Sequence, residues 1–558
     1  MATDLQNTCR QLTLRTSSPS LKVLTFFQAS GAEARARVQS VGHGPVELWL
    51  QHDDWRGGGG PSFRDRTVRR LNFVGASTQR PPGASKLATN RSGATASDRR
   101  WAPVAAEVRG EFLHAWRGYK KYAWGADELM PMSKKGKDVF GDIGMTIVDS
   151  LTTLWLMGLP DEFEDATQWI TTSLNFDRAN REVSVFEVVI RALGGLLGAF
   201  ALSERPIFRE RALDLATRLL PALNTSSGMP HPRWDLARRR GTPSSEPTIL
   251  AEAGSIQLEF RYVTALTGDL RFREAADRSL NAVRSAAATG LVPVHLTPPD
   301  ELPVMQRGDH LAMGALADSY YEYLLKQWLQ SPAETRFKEM WFTVMEELPD
   351  LVKGDLTKDG ALRLIEKSRR NGDIWKQDHL SCFTPGMIAL GLMSLPRGDL
   401  VTSGRNKTWT RLAEGMAEGC AEMWTKTKTG LAPEFTPVAD ARPYNLGKPP
   451  SSVTHSFLRP ETAESLFYLY RYTGDERYRE YGEKIFRAIV KHAKVPAGYA
   501  SVTDVKQVPA QHMDEMQSFV LSETFKYLFL LFSPSDALDL NIFVLNTEGH
   551  PFRRFGPW

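Results

Sequence analysis

SVFEVVIRALGGLLGAF at residues 184–200 runs directly into ALSERPIFRERALDLA at residues 201–216, and this pair decides the fold. The first segment is apolar at i, i+3, i+4 and i+7, the pattern of a helix packed into a core. A polar turn follows, and a second helix opens with Phe208 as its apolar anchor. The same pattern returns along the chain. GDLRFREAADRSL, AETRFKEMWFTVM and GDERYREYGEKIF place equivalent aromatics at Phe272, Phe337 and Tyr478, in steps of 64, 65 and 141 residues, the last about two repeats. Each copy follows an apolar helix. A period of this size means one helical hairpin per unit, burying its apolar face on its neighbours. About seven such units fit the 458 residues from Trp101 onward, which suggests a closed ring of paired helices. An open solenoid is the alternative that periodicity leaves standing. Strand-like alternation is scarce, so the folded part is expected to be all-α.

Acidic residues sit inside these apolar helices. Glu187 lies in the opening stretch with Arg191 four residues on, hence on the same face. Glu252 and Glu259 occur in ILAEAGSIQLEF, Asp318 before SYYEYLLKQW, Arg459, Glu461 and Glu464 in FLRPETAESLFYLY, and Glu523 in SFVLSETFKYLFLLF. Asp and Glu are almost never fully buried unless paired or functional. The spacing repeats: 65 residues from Glu187 to Glu252, 66 on to Asp318, and 62 from Glu461 to Glu523. Equivalent helices of successive hairpins would each send an acid to one place, the middle of the ring. The bland readings are a solvated helix face, which suits Glu322, a structural ion pair for Glu187 and Arg191, and helix N-terminal electrostatics for Glu461 and Glu464. Recurrence in register argues against coincidence. Carboxylates, arginines and aromatics around a cavity suit a neutral polyhydroxylated ligand such as a sugar, and glycoside hydrolysis uses one protonated acid with one carboxylate as base or nucleophile.

The chain has 558 residues, 42% hydrophobic and 24% charged, which is ordinary globular composition and excludes a disordered or fibrous protein. Residues 1–100 hold 15 Lys and Arg against 7 Asp and Glu, so an overall charge of +4 leaves −4 for the rest. The basic excess is confined to a Gly-, Ser-, Arg- and Pro-rich tail expected to be disordered, and no nucleic-acid partner is expected. Residues 101–558 are expected to be the single catalytic domain and a monomer. No run of 18 uninterrupted apolar residues occurs, so no membrane anchor is visible. Three cysteines, Cys9, Cys382 and Cys420, are too few for a disulfide scaffold.

The stretches VDSLTTLWLMGL, FEVVIRALGGLLGAF, LAEAGSIQLEF, ADSYYEYLLKQW, DHLSCFTPG, LRPETAESLFYLYRYTGD, MQSFVLSETFKYLFLLF and VLNTEGHP resemble class I α-1,2-mannosidases, glycoside hydrolase family 47, in family order over about 101–558. The resemblance implies an (αα)7 barrel and calcium-dependent, inverting removal of α-1,2-linked mannose from high-mannose N-glycans. By motif, Glu187 matches the general acid, acting through a water, Asp318 a second essential acid, and Glu461 the base that activates the attacking water. Arg191, Glu252, His379, Arg459, Glu464, Phe519, Glu523 and Glu548 match sugar-contacting or calcium-shell positions, with Phe519 stacking on the terminal mannose. Thr547 of NTE matches the direct Ca²⁺ ligand, through carbonyl and hydroxyl oxygens. All-oxygen coordination suits this hard cation. Cys382 and Cys420 match the family's disulfide pair, which implies an oxidising lumen of the secretory pathway, in the Golgi or endoplasmic reticulum.

Two departures stand out. Leu316 occupies the position where ER-type members have Arg and Golgi-type members have Leu. Losing those fixed donors should relax branch selectivity, so trimming of several mannoses is expected. Thr152 replaces an Asp usual in the DSLDTL stretch. The rival readings are a mannose-binding quality-control factor with little hydrolysis, and an unrelated α/α-toroid hydrolase. The cysteine pair and the three retained acids speak against the first, and the NTE turn speaks against the second.

Overall fold

The computed structural model describes residues 95–286, 290–355, 357, 360–401, 404–438 and 453–555, together with two strands near the N-terminus. The chain divides into units at Met1–Pro82 and Gly83–Trp558. In the first unit, Thr25–Ser30 and Glu33–Val38 form an antiparallel hairpin with Thr25 opposite Val38. This pair leaves little mark in the sequence because the alternation of EARARV lasts only six residues and its uncharged side is mostly alanine. Cys9 and the rest of that segment lie outside the described residues.

The second unit is a closed (αα)7 barrel. Its inner ring comprises Met145–Leu156, Val185–Ser203, Gln257–Thr267, Asp318–Gln330, Thr384–Ser394, Glu461–Thr473 and Phe525–Phe532. Each packs on the next, and the last returns through Val520–Thr524 to the first. The outer ring comprises Pro160–Thr172, Pro206–Leu219, Leu270–Ala286, Thr335–Glu347, Arg405–Thr425, Glu476–His492 and Ala96–Tyr122. The anchors Phe208, Phe272, Phe337 and Tyr478 all sit near the starts of outer helices and are buried. They face the inner ring, which explains why that position keeps its aromatic character in every copy.

Ala96–Tyr122 closes the circle against Phe525–Phe532, with Trp101 stacked on Phe532 at 5.3 Å. This helix begins five residues ahead of the expected boundary at 101. Thr95 and Asp98 form a reciprocal capping box, and Asp98 also accepts from Arg479 at 3.0 Å, tying the helix start to the neighbouring outer helix. Val185–Ser203 is long and apolar enough to cross a membrane by length and composition. Here it is an inner helix, apolar nearly all round because it is enclosed on all sides.

Short strands decorate one end of the barrel, among them the three-stranded sheet of Thr248–Ile249, His295–Leu296 and Gln306–Arg307. At two or three residues each, they are too short to leave a period in the sequence. Cys382 and Cys420 form a disulfide between an inner and an outer hairpin element, closing a separation of 38 residues. Both are buried. Replacing the pair with alanine is expected to lower unfolding stability by about 3–4 kcal/mol through lost loop constraint. Denaturant titration measures it, and an unchanged midpoint would remove that role from the bond.

Candidate active site

The inner helices share a direction, so their N-terminal ends meet at one end of the barrel. Glu187 is the third residue of its helix, Asp318 and Glu461 are the first of theirs, Glu252 lies in the turn Leu250–Gly254, and Glu523 in Val520–Thr524. Carboxylates at these positions are favoured by the positive end of the helix dipole. Two inner helices carry a π-helical turn, Val188–Leu193 and Val520–Thr524, and both turns lie at this site. Such turns rotate the following residues and often mark functional positions.

The ends enclose a cavity of about 320 Å³. Glu187, Arg191, Glu252, Leu316, Asp318, Arg459, Glu461, Glu464, Phe519, Glu523, Thr547 and Glu548 all line it. His379 does not. It is 2% exposed and stands behind Glu461, off the cavity lining. Its Nε2 accepts from the Trp424 indole N–H at 3.2 Å, which places the ring proton on Nδ1, 3.3 Å from Glu461 Oε2. Thr462 Oγ1 lies 2.9 Å from the same Nε2. Glu461 Oε2 is buried and faces the His379 Nδ1 without an aligned hydrogen bond, while the side chain as a whole, 13% exposed, forms part of the cavity wall. Glu259 is likewise set apart: wholly buried one layer down, it accepts from Tyr323 Oη at 2.7 Å and Asn546 Nδ2 at 2.8 Å.

Opposite lies a second charged group. Arg191 Nε donates to Glu187 Oε2 at 2.6 Å, and Arg191 Nη1 to Glu548 Oε1 at 2.6 Å and Ser518 Oγ at 3.3 Å. Arg459 pairs with Glu434. The guanidiniums of Arg191 and Arg459 lie 5.7 and 5.6 Å from the Phe519 ring, which fixes that aromatic wall between two cations. Asp318 is pushed up to about 8, by burial first and then by the charges of Asp378, Glu461 and Glu322, against the Ser319 N–H that it accepts. It therefore carries a proton at neutral pH. Glu252 rises to about 7 through burial and the nearby Glu187.

Deeper in, acids outnumber cations. Glu464 is raised to about 8 by burial, against Lys326 and with Glu322 and Glu461 adding repulsion. Burial and mutual repulsion push Glu523 and Glu548 well above the usual carboxylate range. The turn Asn546-Thr547-Glu548 crosses this floor. Asn546 Oδ1 accepts from the N–H of Glu548 at 3.0 Å and of His550 at 2.8 Å, while its Nδ2 donates to Ile190 O at 2.9 Å. Lys326 Nζ donates to Asn546 O at 3.3 Å and Lys526 Nζ to Gly549 O at 2.7 Å, clamping the turn from both sides. Thr547 lines the cavity, and neither its hydroxyl nor its carbonyl is bonded to any described residue. No three His, Cys, Asp or Glu side chains among the described residues converge as a metal cage. Oxygen donors on Thr547, beside carboxylates that outnumber the cations paired with them, nevertheless fit a hard divalent cation held largely through water.

Sequence reasoning missed several members. Glu322 lines the cavity at 3% exposure and pairs with buried Lys326, contrary to its reading as a solvated face. Its position four residues after Asp318 was the available signal. Asp378, buried beside Asp318, and Glu434, which holds Arg459, lie outside the helices and carry no helical spacing.

An α/α barrel whose inner helices deliver acids to one polar cavity is a carbohydrate-active architecture, and this protein is a glycoside hydrolase. The chain belongs to glycosyl hydrolase family 47, whose model matches residues 111–554. It is 39% identical over 455 residues to the mannosyl-oligosaccharide 1,2-alpha-mannosidase MNS1 of Arabidopsis thaliana, covering 80% of this chain and 78% of that one. It is also 39% identical over 464 residues to the human endoplasmic reticulum mannosyl-oligosaccharide 1,2-alpha-mannosidase, covering 80% of this chain and 63% of the human protein, under two thirds of its length. Among solved structures, the alpha-1,2-mannosidase from Trichoderma reesei superposes with a TM-score of 0.72 at 28% identity, covering 81% of this chain and 99% of that one.

Proposed function

We propose that this protein is an α-1,2-mannosidase that removes terminal α-1,2-linked mannose from high-mannose N-glycans, with inversion and with Ca²⁺. The observation that carries the reading is the convergence of Glu187, Asp318 and Glu461 on one cavity, with His379 backing the Glu461 carboxylate. Glu461 takes the proton of the attacking water. Glu187, held by Arg191, delivers a proton to the leaving oxygen through a second water, and protonated Asp318 keeps the local charge down while donating to substrate. Ca²⁺ on Thr547, when bound, orients sugar hydroxyls, and the surrounding carboxylates hold its waters. Phe519 gives the apolar face of the ring a place to rest.

The Cys382–Cys420 bond and the relatives named for the endoplasmic reticulum support a lumenal setting in the secretory pathway. The test is a time course on a nine-mannose N-glycan, read by mass, with the first-formed anomer read by proton NMR. Loss of several mannoses with β-mannose appearing first is expected. Absence of release by folded, calcium-loaded protein would favour a mannose-binding factor instead, and α-mannose appearing first would overturn inversion.

Leu316 sets the breadth of trimming. It lies on the cavity wall, 38% exposed, with φ of 75°, a left-handed conformation that costs leucine strain and turns its side chain toward the opening. An apolar side chain there offers no donor to select one glycan branch. Leu316→Arg is expected to slow removal of later mannoses about tenfold or more relative to the first. An unchanged product ladder would defeat this account.

A further inference from the structure

Behind Arg191, on the side away from the sugar, lies a buried row of polar groups that the reaction described above leaves unused. Helix Met145–Leu156 presents Asp149 and Thr152, three residues apart, to His550, and Asp149, Thr152 and His550 are all 0% exposed. His550 Nε2 lies 3.0 Å from Asp149 Oδ1, and its Nδ1 lies 3.0 Å from Thr152 Oγ1. The second oxygen, Asp149 Oδ2, has no hydrogen-bond partner and stands 3.8 Å from Arg191 Nη1.

The seat for this imidazole is built in. Gly194 and Gly198 lie one turn apart on the helix of Glu187. A Cβ at Gly194 would come within 2.9 Å of His550 Cδ2, and one at Gly198 within 2.8 Å of Thr152 Cγ2 and 3.1 Å of His550 Cβ. The glycines of RALGGLLGAF therefore open a slot through which His550 reaches Thr152. Burial, with the nearby Lys526 and Arg191 against Asp149, holds His550 down to about 4, so the ring is neutral and carries one N–H. Although burial alone would raise Asp149, the hydrogen bond from His550 and the Arg191 charge keep it below the usual range. An ionised carboxylate only accepts, so the proton is on Nε2. Nδ1 must then accept, and a hydroxyl at position 152 supplies the donor.

We infer that Thr152 is a positioning residue: its hydroxyl donates to the Nδ1 that the Asp149-selected His550 tautomer leaves as an acceptor and holds the ring in place, which keeps a whole Asp149 carboxylate behind Arg191 and aims that guanidinium at Glu187 and Glu548. The geometry follows the general rule that a hydrogen bond to one imidazole nitrogen sets the role of the other. Asp149 Oδ2 attracts the guanidinium from behind, and the fork then holds its two forward bonds of 2.6 Å. The inference rests on the reading of Glu187 as the acid, but its central measurement does not depend on turnover.

That measurement is the ¹⁵N chemical shift pair of His550 in the full-length protein, assigned by comparison with His550→Gln. The wild type and Thr152→Ser are expected to show protonated Nε2 and a hydrogen-bonded, unprotonated Nδ1, and Thr152→Val to move the Nδ1 resonance clearly downfield as that acceptor loses its donor. In turnover of mannose-α-1,2-mannose, Thr152→Val is expected to lose about tenfold in kcat with KM within about twofold, and Thr152→Ser to recover most of it. Protonated Nδ1 in the wild type overturns the inference whatever the variants do, including the case where Thr152→Val fails to fold. So does a Thr152→Val protein with wild-type kcat and Nδ1 shift, or a Thr152→Ser protein as impaired as Thr152→Val. An inactive wild type with the expected tautomer would instead sink the mannosidase reading.

Discussion

Glu461→Gln is expected to lower kcat about 10³-fold while leaving the barrel folded and able to bind mannose. Glutamine keeps the volume and can turn its amide oxygen toward the Nδ1–H of His379, which now faces Glu461 at 3.3 Å. What it loses is the basicity of a carboxylate on the cavity wall. The substitution at Glu187 should look similar with a natural glycan and different with α-mannosyl fluoride. Fluoride departs without a proton, so the Glu187→Gln enzyme should recover most of its rate with that substrate. Glu461→Gln should not, because the water still needs a base. Circular dichroism and mannose titration establish that the variant is folded. A Glu461→Gln protein within tenfold of wild type, or one rescued by the fluoride, would remove Glu461 from the base role.

The hairpin period was legible because one position per outer helix is an aromatic pressed onto the inner ring. It broke where the chain makes an excursion into short strands at 352–378, before the outer helix Arg405–Thr425. The missing anchor there is buried Trp409, 72 residues after Phe337 and 69 before Tyr478. The acids were legible because burial without a partner is expensive, so a carboxylate in an apolar helix announces a function. Glu259 obeys the same rule but stands off the cavity, where Tyr323 and Asn546 both donate to its Oε1 and Oε2 has no partner. Thr547 left no mark in the sequence. A carbonyl oxygen carries no residue type, and its place is set by contacts from Lys326, Ile190 and Tyr323, which are more than 200 residues away. His379 could be identified as belonging to the site, but only the indole of Trp424 shows which nitrogen faces Glu461.

Removing Ca²⁺ should abolish turnover and loosen the barrel floor together. Glu322, Glu464, Glu523 and Glu548 share one cavity wall with Thr547, and nearby Lys326, Lys526 and Arg191 are engaged with the turn or with Glu187 and Glu548. A dication there would let buried carboxylates ionise without repelling one another. At a hundredfold excess over Kd, bound Ca²⁺ contributes about 2.7 kcal/mol to folding, so chelation should lower Tm measurably and calcium should restore it. The pH dependence has a definite sign. Asp318 at about 8, like Glu128 and Glu259 at about 7, is raised above its ordinary value, chiefly by burial. In the folded apo-protein these groups hold protons that the unfolded chain has released, so their contribution to stability falls as pH rises from about 4 through about 8. The gain in Tm on adding calcium should accordingly be larger at pH 7.5 than at pH 5.5. Magnesium should not replace it, because a smaller ion that dehydrates reluctantly needs a tighter octahedron than one threonine and a ring of distant acids provide. Full activity after exhaustive chelation, or a calcium-induced Tm gain that shrinks with rising pH, would overturn this account of the acid cluster.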